Sequence, residues 1–146
     1  MSLSKGVEIH QLTSVKAGMV QFYTPQSSNE TMLVQIPPNT IDDMFVHKYQ
    51  TDQLMVVRGN FTLVILHNGK YQYISLSDSQ PQVVNIPPLV PHAAINLGGE
   101  PCMLINAVIR HGKSHPADYR PIEAPFPYDL AQFTQYSDSQ NHSIAA

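Results

Sequence analysis

The chain has 146 residues and a mass of 16.3 kDa, enough for one domain that buries roughly 68–70% of the surface its unfolded form exposes. Its formal net charge is −3, only 13% of residues are charged, and Lys and Arg are scattered singly, so no basic field exists to hold nucleic acid. One cysteine, Cys102, excludes an internal disulfide, and no apolar stretch approaches the roughly 20 residues that a membrane-spanning helix needs. The start "MSLSKGVEIH" lacks the apolar core of a signal peptide, so a soluble protein of the reducing cytoplasm is expected. So little charge on a small domain leaves apolar surface to hide, which favours a homodimer.

Twelve prolines, seven tyrosines and many Val, Ile and Thr residues point to short strands joined by turns, an all-β chain. Residues 1–19 are expected to form an N-terminal strand or arm. Next, "GMVQFYT" and "TMLVQIPP" read as strands separated by the turn-rich "PQSSNE" and closed by Pro37 and Pro38. "VHKYQTDQLMVVRG" follows as a strand, a polar turn and a second strand ending at Gly59. The clearest local signal is "FTLVILHNGKYQYISL", where Asn68-Gly69 accepts the positive φ angles of a type I′ turn between two runs of strand formers. Its second arm alternates, with Tyr71, Tyr73 and Ser75 on one face and Ile74 and Leu76 on the other. "QVVNIPPLVPHAAINLGGEPCMLINAVIRHG" gives three more strands around a proline turn and Gly98-Gly99. Eight or nine strands at a spacing of roughly 8 to 12 residues indicate a sandwich or barrel over residues 20–128. Residues 129–146 are expected to begin as a short helix and to turn into a frayed polar tail.

Two polar clusters interrupt the strand-like sequence. The first is His47, Tyr49, Asp52 and Gln53; the second is "IPPLVPHAAIN", in which Pro87, Pro88 and Pro91 impose an extended approach to His92, with Asn96 four residues later. No Gly-x-Ser-x-Gly elbow exists, Cys102 sits in an apolar strand, and "GKS" at 112–114 lacks a preceding Gly-rich loop, so neither nucleophilic hydrolysis nor a phosphate loop is supported. Blander roles compete: Asp52 and Gln53 as turn formers, Tyr49, Tyr71 and Tyr73 as barrel-wall aromatics, and Arg58 beside Gly59 as a solvated strand end.

The spacing of the two clusters resembles the paired motifs of the cupin superfamily, which implies a single-domain jelly-roll barrel with a site at one end. Pro87, His92 and Asn96 match the second motif, with Leu89 in place of its glycine. In the first motif His47 fits the first histidine and Tyr49 stands where the second would be. Its acidic position falls on Gln53 when counted from His47 and on Asp52 when counted back from Gly59. Asp52 is favoured because period two then puts it on one face with Leu54 and Val56. Over residues 44–122 the chain further resembles the dTDP-sugar 3,4-ketoisomerases and, more loosely, the dTDP-4-dehydrorhamnose 3,5-epimerases. That resemblance implies proton transfer beside a ketone, without a required cofactor, on a small polar ligand such as a nucleotide-linked keto sugar.

On that basis His47 would be the base, His92 would position or polarise, and Tyr49, taken to share the His47 face, would return the proton. Lys48, Asp52, Gln53, Arg58 and Asn96 would contact ligand. Two departures stand out. Phe45 replaces the first histidine of the ketoisomerase His-x-His-Lys run, and Asp52 replaces the epimerase lysine thought to hold the enolate oxygen. Lys48, Arg58 or Arg110 would have to supply that positive charge. The alternatives are a divalent transition metal held by His47 and His92 with Asp52 or Gln53, and a non-catalytic sugar or small-molecule sensor using the same pocket.

Overall fold

The computed structural model describes residues 6–15, 20–22, 28–113 and 116–131. In chain order the strands are β1 (Glu8–Gln11), β2 (Thr13–Val15), β3 (Val20–Phe22), β4 (Glu30–Ile36), β5 (Thr40–Ile41), β6 (Met44–Val46), β7 (Gln50–Arg58), β8 (Asn60–His67), β9 (Lys70–Ser77), β10 (Gln82–Ile86), β11 (His92–Asn96), β12 (Cys102–Arg110) and β13 (Arg120–Ile122). The thirteen segments among the described residues exceed the eight or nine expected. Pro37-Pro38, the Asp42-Asp43 link and a turn at 47–49 cut the stretch from β4 to β7 into shorter pieces. His115, His142 and nearly all of the expected C-terminal helix and tail lie outside the described residues.

Two antiparallel sheets face each other as a cupin jelly roll, in the orders β1-β10-β7-β12-β4 and β13-β6-β11-β8-β9, with β5 also on β11; β2 and β3 pair separately. The expected N-terminal strand is β1, an edge of the first sheet beside β10. The hairpin forms as read: β8 and β9 pair from Asn60↔Ser77 to His67↔Lys70, with φ of 51° at Asn68 and 72° at Gly69.

Alternation then decides the core. Leu54 and Val56, Phe61, Leu63 and Ile65, Ile74 and Leu76, Val84 and Ile86, and Cys102 and Leu104 all point between the sheets and are buried. At about 25 cal/mol per Å² of apolar area removed from water, this shared face is the main stabilising term. Burial and the nearby Asp78 push the Cys102 thiol up to about 11, which removes it as a nucleophile. On the outer side of the second sheet Met44, Val64, Ala93 and Ile95 are covered by Tyr71, Tyr73, Tyr128 and Leu130. The Tyr71 hydroxyl donates to the Phe126 carbonyl at 2.6 Å, and the Asp129 amide donates to the Tyr73 hydroxyl at 2.8 Å. These two tyrosines therefore fasten the chain after β13 rather than line the interior.

Leu89 occupies the position where the second motif has glycine, and its φ is +67°. A β-carbon makes that left-handed conformation costly by roughly 1–2 kcal/mol. It is retained because the Leu89 amide donates to the His47 carbonyl at 2.7 Å, which ties the two motifs together at the mouth of the barrel.

Candidate functional site

Between the sheets lies a cavity of about 530 Å³. Met32, Val34, Leu54, Phe61, Leu63 and Leu104 make its walls apolar, and the polar groups gather where β7, β11 and β12 meet. Asp52 follows Gln50 by two residues and precedes Leu54 by two, so strand alternation turns all three inward. Asp52 and Gln53 are thus strand residues, not the turn; the turn is 47–49. Asp52 is the acidic group inside the barrel, as the shared face with Leu54 and Val56 requires.

Asp52 is only 3% exposed, and His92 and His47 beside it are 4% and 9% exposed. Asp52 Oδ2 lies 3.2 Å from His92 Nε2 and 3.5 Å from His47 Nε2. On the far side of each ring, Nδ1–H donates to a backbone carbonyl: His47 to Asp118 at 3.0 Å and His92 to Val90 at 2.8 Å. Those bonds fix the tautomer and aim both Nε2 atoms at one carboxylate oxygen. A lone pair facing a carboxylate repels it, so the contacts are attractive when a proton or a cation sits at the meeting point. Burial pushes the Asp52 carboxyl up, but bonds and charge from both histidines more than offset it and hold it far below the usual carboxylate range. Burial pushes His47 down, and the bond to Asp52, its charge and the Asp118 carbonyl outweigh this and raise it.

Asp52 Oδ1 has its own partners, accepting from Gln50 Nε2 and from Asn106 Nδ2 at 3.0 Å. Gln50 Oε1 in turn accepts from Arg110, whose other donors meet Glu30. Asp118 braces the opposite wall: its carboxylate accepts the Lys48 amide at 2.8 Å and the Tyr49 amide at 3.1 Å. Burial raises the Asp118 carboxyl, yet these amides, with Arg120 and His47, leave it lowered overall. Tyr119, the next residue, stacks on Phe45 at 4.3 Å between ring centroids, and Phe45 lies 4.4 Å from the His92 ring. Burial and the charges of Asp42 and Asp43 raise the Tyr119 hydroxyl, which keeps it a proton donor.

His47, Asp52 and His92 are therefore brought together, and the other five expected positions are not part of the cavity wall. Tyr49 is 41% exposed and packs toward Gly112, because 47–49 is a turn and strand parity does not carry across it. Lys48 places its Nζ 5.3 Å over the Tyr49 ring, outside the cavity. Gln53 faces away, its Nε2 donating to the Ala107 carbonyl, and Arg58 is exposed at the end of β7. Asn96 is buried but committed to backbone: Nδ2 donates to the carbonyls of Ile36, Pro37 and Glu100, and Oδ1 accepts the Gly98 amide. Of the cations weighed for a substitute charge, Arg110 alone lines the cavity.

Gln50, Asn106, Asp118 and Tyr119 were not singled out from sequence. One signal was available for Asn106, an amide at an inward position of "CMLINAVIR" between Leu104 and Val108. His47, Asp52 and His92 offer three donor atoms within 4.8 Å of one another, a set that suits a divalent transition metal.

No protein-family model matches the chain, and no curated protein sequence matches it. Solved structures do. A dTDP sugar isomerase from Desulfovibrio desulfuricans G20 is 16% identical with a TM-score of 0.68, over 88% of this chain and 92% of that one. A TDP-quinovose 3,4-ketoisomerase from Campylobacter jejuni is 14% identical with a TM-score of 0.67, over 81% and 94%. A 3,4-ketoisomerase mutant from Thermoanaerobacterium thermosaccharolyticum, in complex with TDP-4-keto-6-deoxyglucose, is 15% identical with a TM-score of 0.66, over 80% and 88%. At these identities the likeness is one of fold, and the fold is the cupin barrel in the form seen in the dTDP-sugar 3,4-ketoisomerases.

Proposed function

We propose that the cavity binds a nucleotide-linked keto sugar and moves protons beside its carbonyl, as a sugar isomerase or epimerase. The observation that carries this reading is the convergence of two histidine Nε2 atoms on one buried carboxylate at the wall of an apolar cavity. With Nδ1–H committed to a carbonyl, a neutral ring presents a basic Nε2 and a protonated ring presents an acid, and Asp52 stabilises the charged form of either. His47 is assigned as base and His92 as the polarising partner. Tyr119 takes the proton-returning role expected of Tyr49, since its hydroxyl belongs to a cavity residue and stays protonated. The apolar walls exclude water from the carbanion that forms.

The test is deuterium wash-in from solvent into TDP-4-keto-6-deoxyglucose, with wild type compared to His47→Asn. General-base catalysis is worth on the order of 10²–10⁴ in rate, so the variant should lose at least a hundredfold. Wild type exchanging no faster than His47→Asn would refute the reading.

A second reading rests on the same Nδ1 bonds, which leave His47, His92 and Asp52 as a ready donor set. There a divalent transition metal would polarise a ligand carbonyl. Elemental analysis of protein purified without chelator or tag tests it, since a transition-metal content far below one per chain would count against it.

A further inference from the structure

Asp52 presents one oxygen, and not two, to the histidines. A carboxylate can turn about its last bond and exchange its oxygens, yet here they have unlike neighbours: two carboxamides on Oδ1, two imidazoles at Oδ2. We propose that Gln50 and Asn106 are positioning residues, whose amide donors pin Asp52 Oδ1 and leave Oδ2 to serve His47 and His92. The proposal rests on the proton-transfer reading above and assigns two residues to it.

The direction of each amide follows from its second partner. Arg110 carries donors only, so Gln50 must turn Oε1 toward it and Nε2 toward Asp52. The backbone amide of Gln53 is also a donor and takes Asn106 Oδ1 at 3.0 Å, which leaves Asn106 Nδ2 for Asp52. Neither carboxamide can flip without setting two donors, or a donorless oxygen and a carboxylate, against each other. The two grips come from different strands. Gln50 shares a face of β7 with Asp52, and Asn106 reaches across from β12, where it pairs with Leu54. Glu30 closes the chain by holding Arg110 from β4. The carboxylate is therefore aimed by the sheet itself, through side chains that are 6% and 7% exposed at Gln50 and Asn106.

The experiment compares Gln50→Met and Asn106→Leu with wild type. Gln50→Met is decisive, because its amide meets only side chains and its loss leaves no backbone group unpaired; Asn106→Leu orphans the Gln53 amide and is read only if folded. Two measurements are made on each. The first is the ¹⁵N spectrum of the imidazoles in histidine-labelled protein near neutral pH, which needs no substrate. The proposal expects the Nε2 resonances of His47 and His92 to move while those of His10 and His67 stay. The second is deuterium wash-in, expected to lose kcat roughly tenfold to a hundredfold, the usual effect of removing a residue that orients a site group, with KM nearly unchanged. Unmoved His47 and His92 resonances in folded Gln50→Met, with a lowered melting temperature alone, would overturn it and leave a packing role. If wild type shows no wash-in, the proton-transfer reading falls, and the resonances still decide whether the amides position Asp52.

Discussion

Replacing Asp52 by Asn should invert the way stability depends on pH. In wild type His47 is raised above its ordinary value near 6.5 by the Asp52 carboxylate, against the effect of burial. A raised group contributes stability that is fully present below the unfolded value and is lost as pH rises through the folded one. Asp52→Asn removes the carboxylate and keeps the burial, since the site is only 3% exposed. His47 then falls below its ordinary value, and stability is lost as pH falls through about 6.5. One proton changes the slope by about 1.4 kcal/mol per pH unit, which for a chain of this size shifts the melting temperature by about 3 to 6 °C. Accumulated to the acid end, this is the cost of leaving buried imidazolium without its partner, about 3–5 kcal/mol. At the alkaline end the new amide can donate to a neutral Nε2, so the loss there is smaller. Thermal unfolding of both proteins from about pH 5 to pH 8, taken as a difference, cancels the histidines that do not touch Asp52. The difference should widen steadily toward acid; a flat difference would refute the arrangement of His47, His92 and Asp52.

Leu89→Gly should stabilise the protein by about 1 kcal/mol, read from urea unfolding, because glycine adopts the φ of +67° at little cost and the gain is partly offset by a freer unfolded chain. Asp118→Ala should speed amide hydrogen exchange at Lys48 and Tyr49 on the order of tenfold, the loss of one charge-assisted bond each, while β8 and β9 amides keep their protection. Phe45→His places a second imidazole beside His47 and His92 and should raise deuterium wash-in at least several-fold if proton transfer is the chemistry; an unchanged rate would show that this position lies outside the reacting geometry.

How much of this could be read in advance depended on whether the signal was local. The Asn68-Gly69 hairpin and the inward face of Asp52, Leu54 and Val56 follow from turn chemistry and period two, both of which act over a few residues. His92 and Asn96 were found by their spacing, but spacing did not say that Asn96 serves the backbone, because its partners Ile36 and Pro37 lie on another strand and its end. Tyr49 does not share the His47 face for a physical reason: two-residue parity holds along a strand, and residues 47–49 lie between β6 and β7. Asp118 reaches His47 across 71 residues, and Arg110 reaches Gln50 across 60. Contacts of that range exist only once the sheets have paired, and no pattern in a single sequence announces them.

The Asp118 brace also sets the order in which the molecule can become competent. During synthesis a chain emerged as far as Arg110 holds every strand of the first sheet and all but β13 of the second. It lacks the carbonyl that turns the His47 ring and the carboxylate that fixes the turn behind it. The barrel can close before the corner of His47, Asp52 and His92 is set, so a nascent or truncated chain would have the barrel without the proposed site.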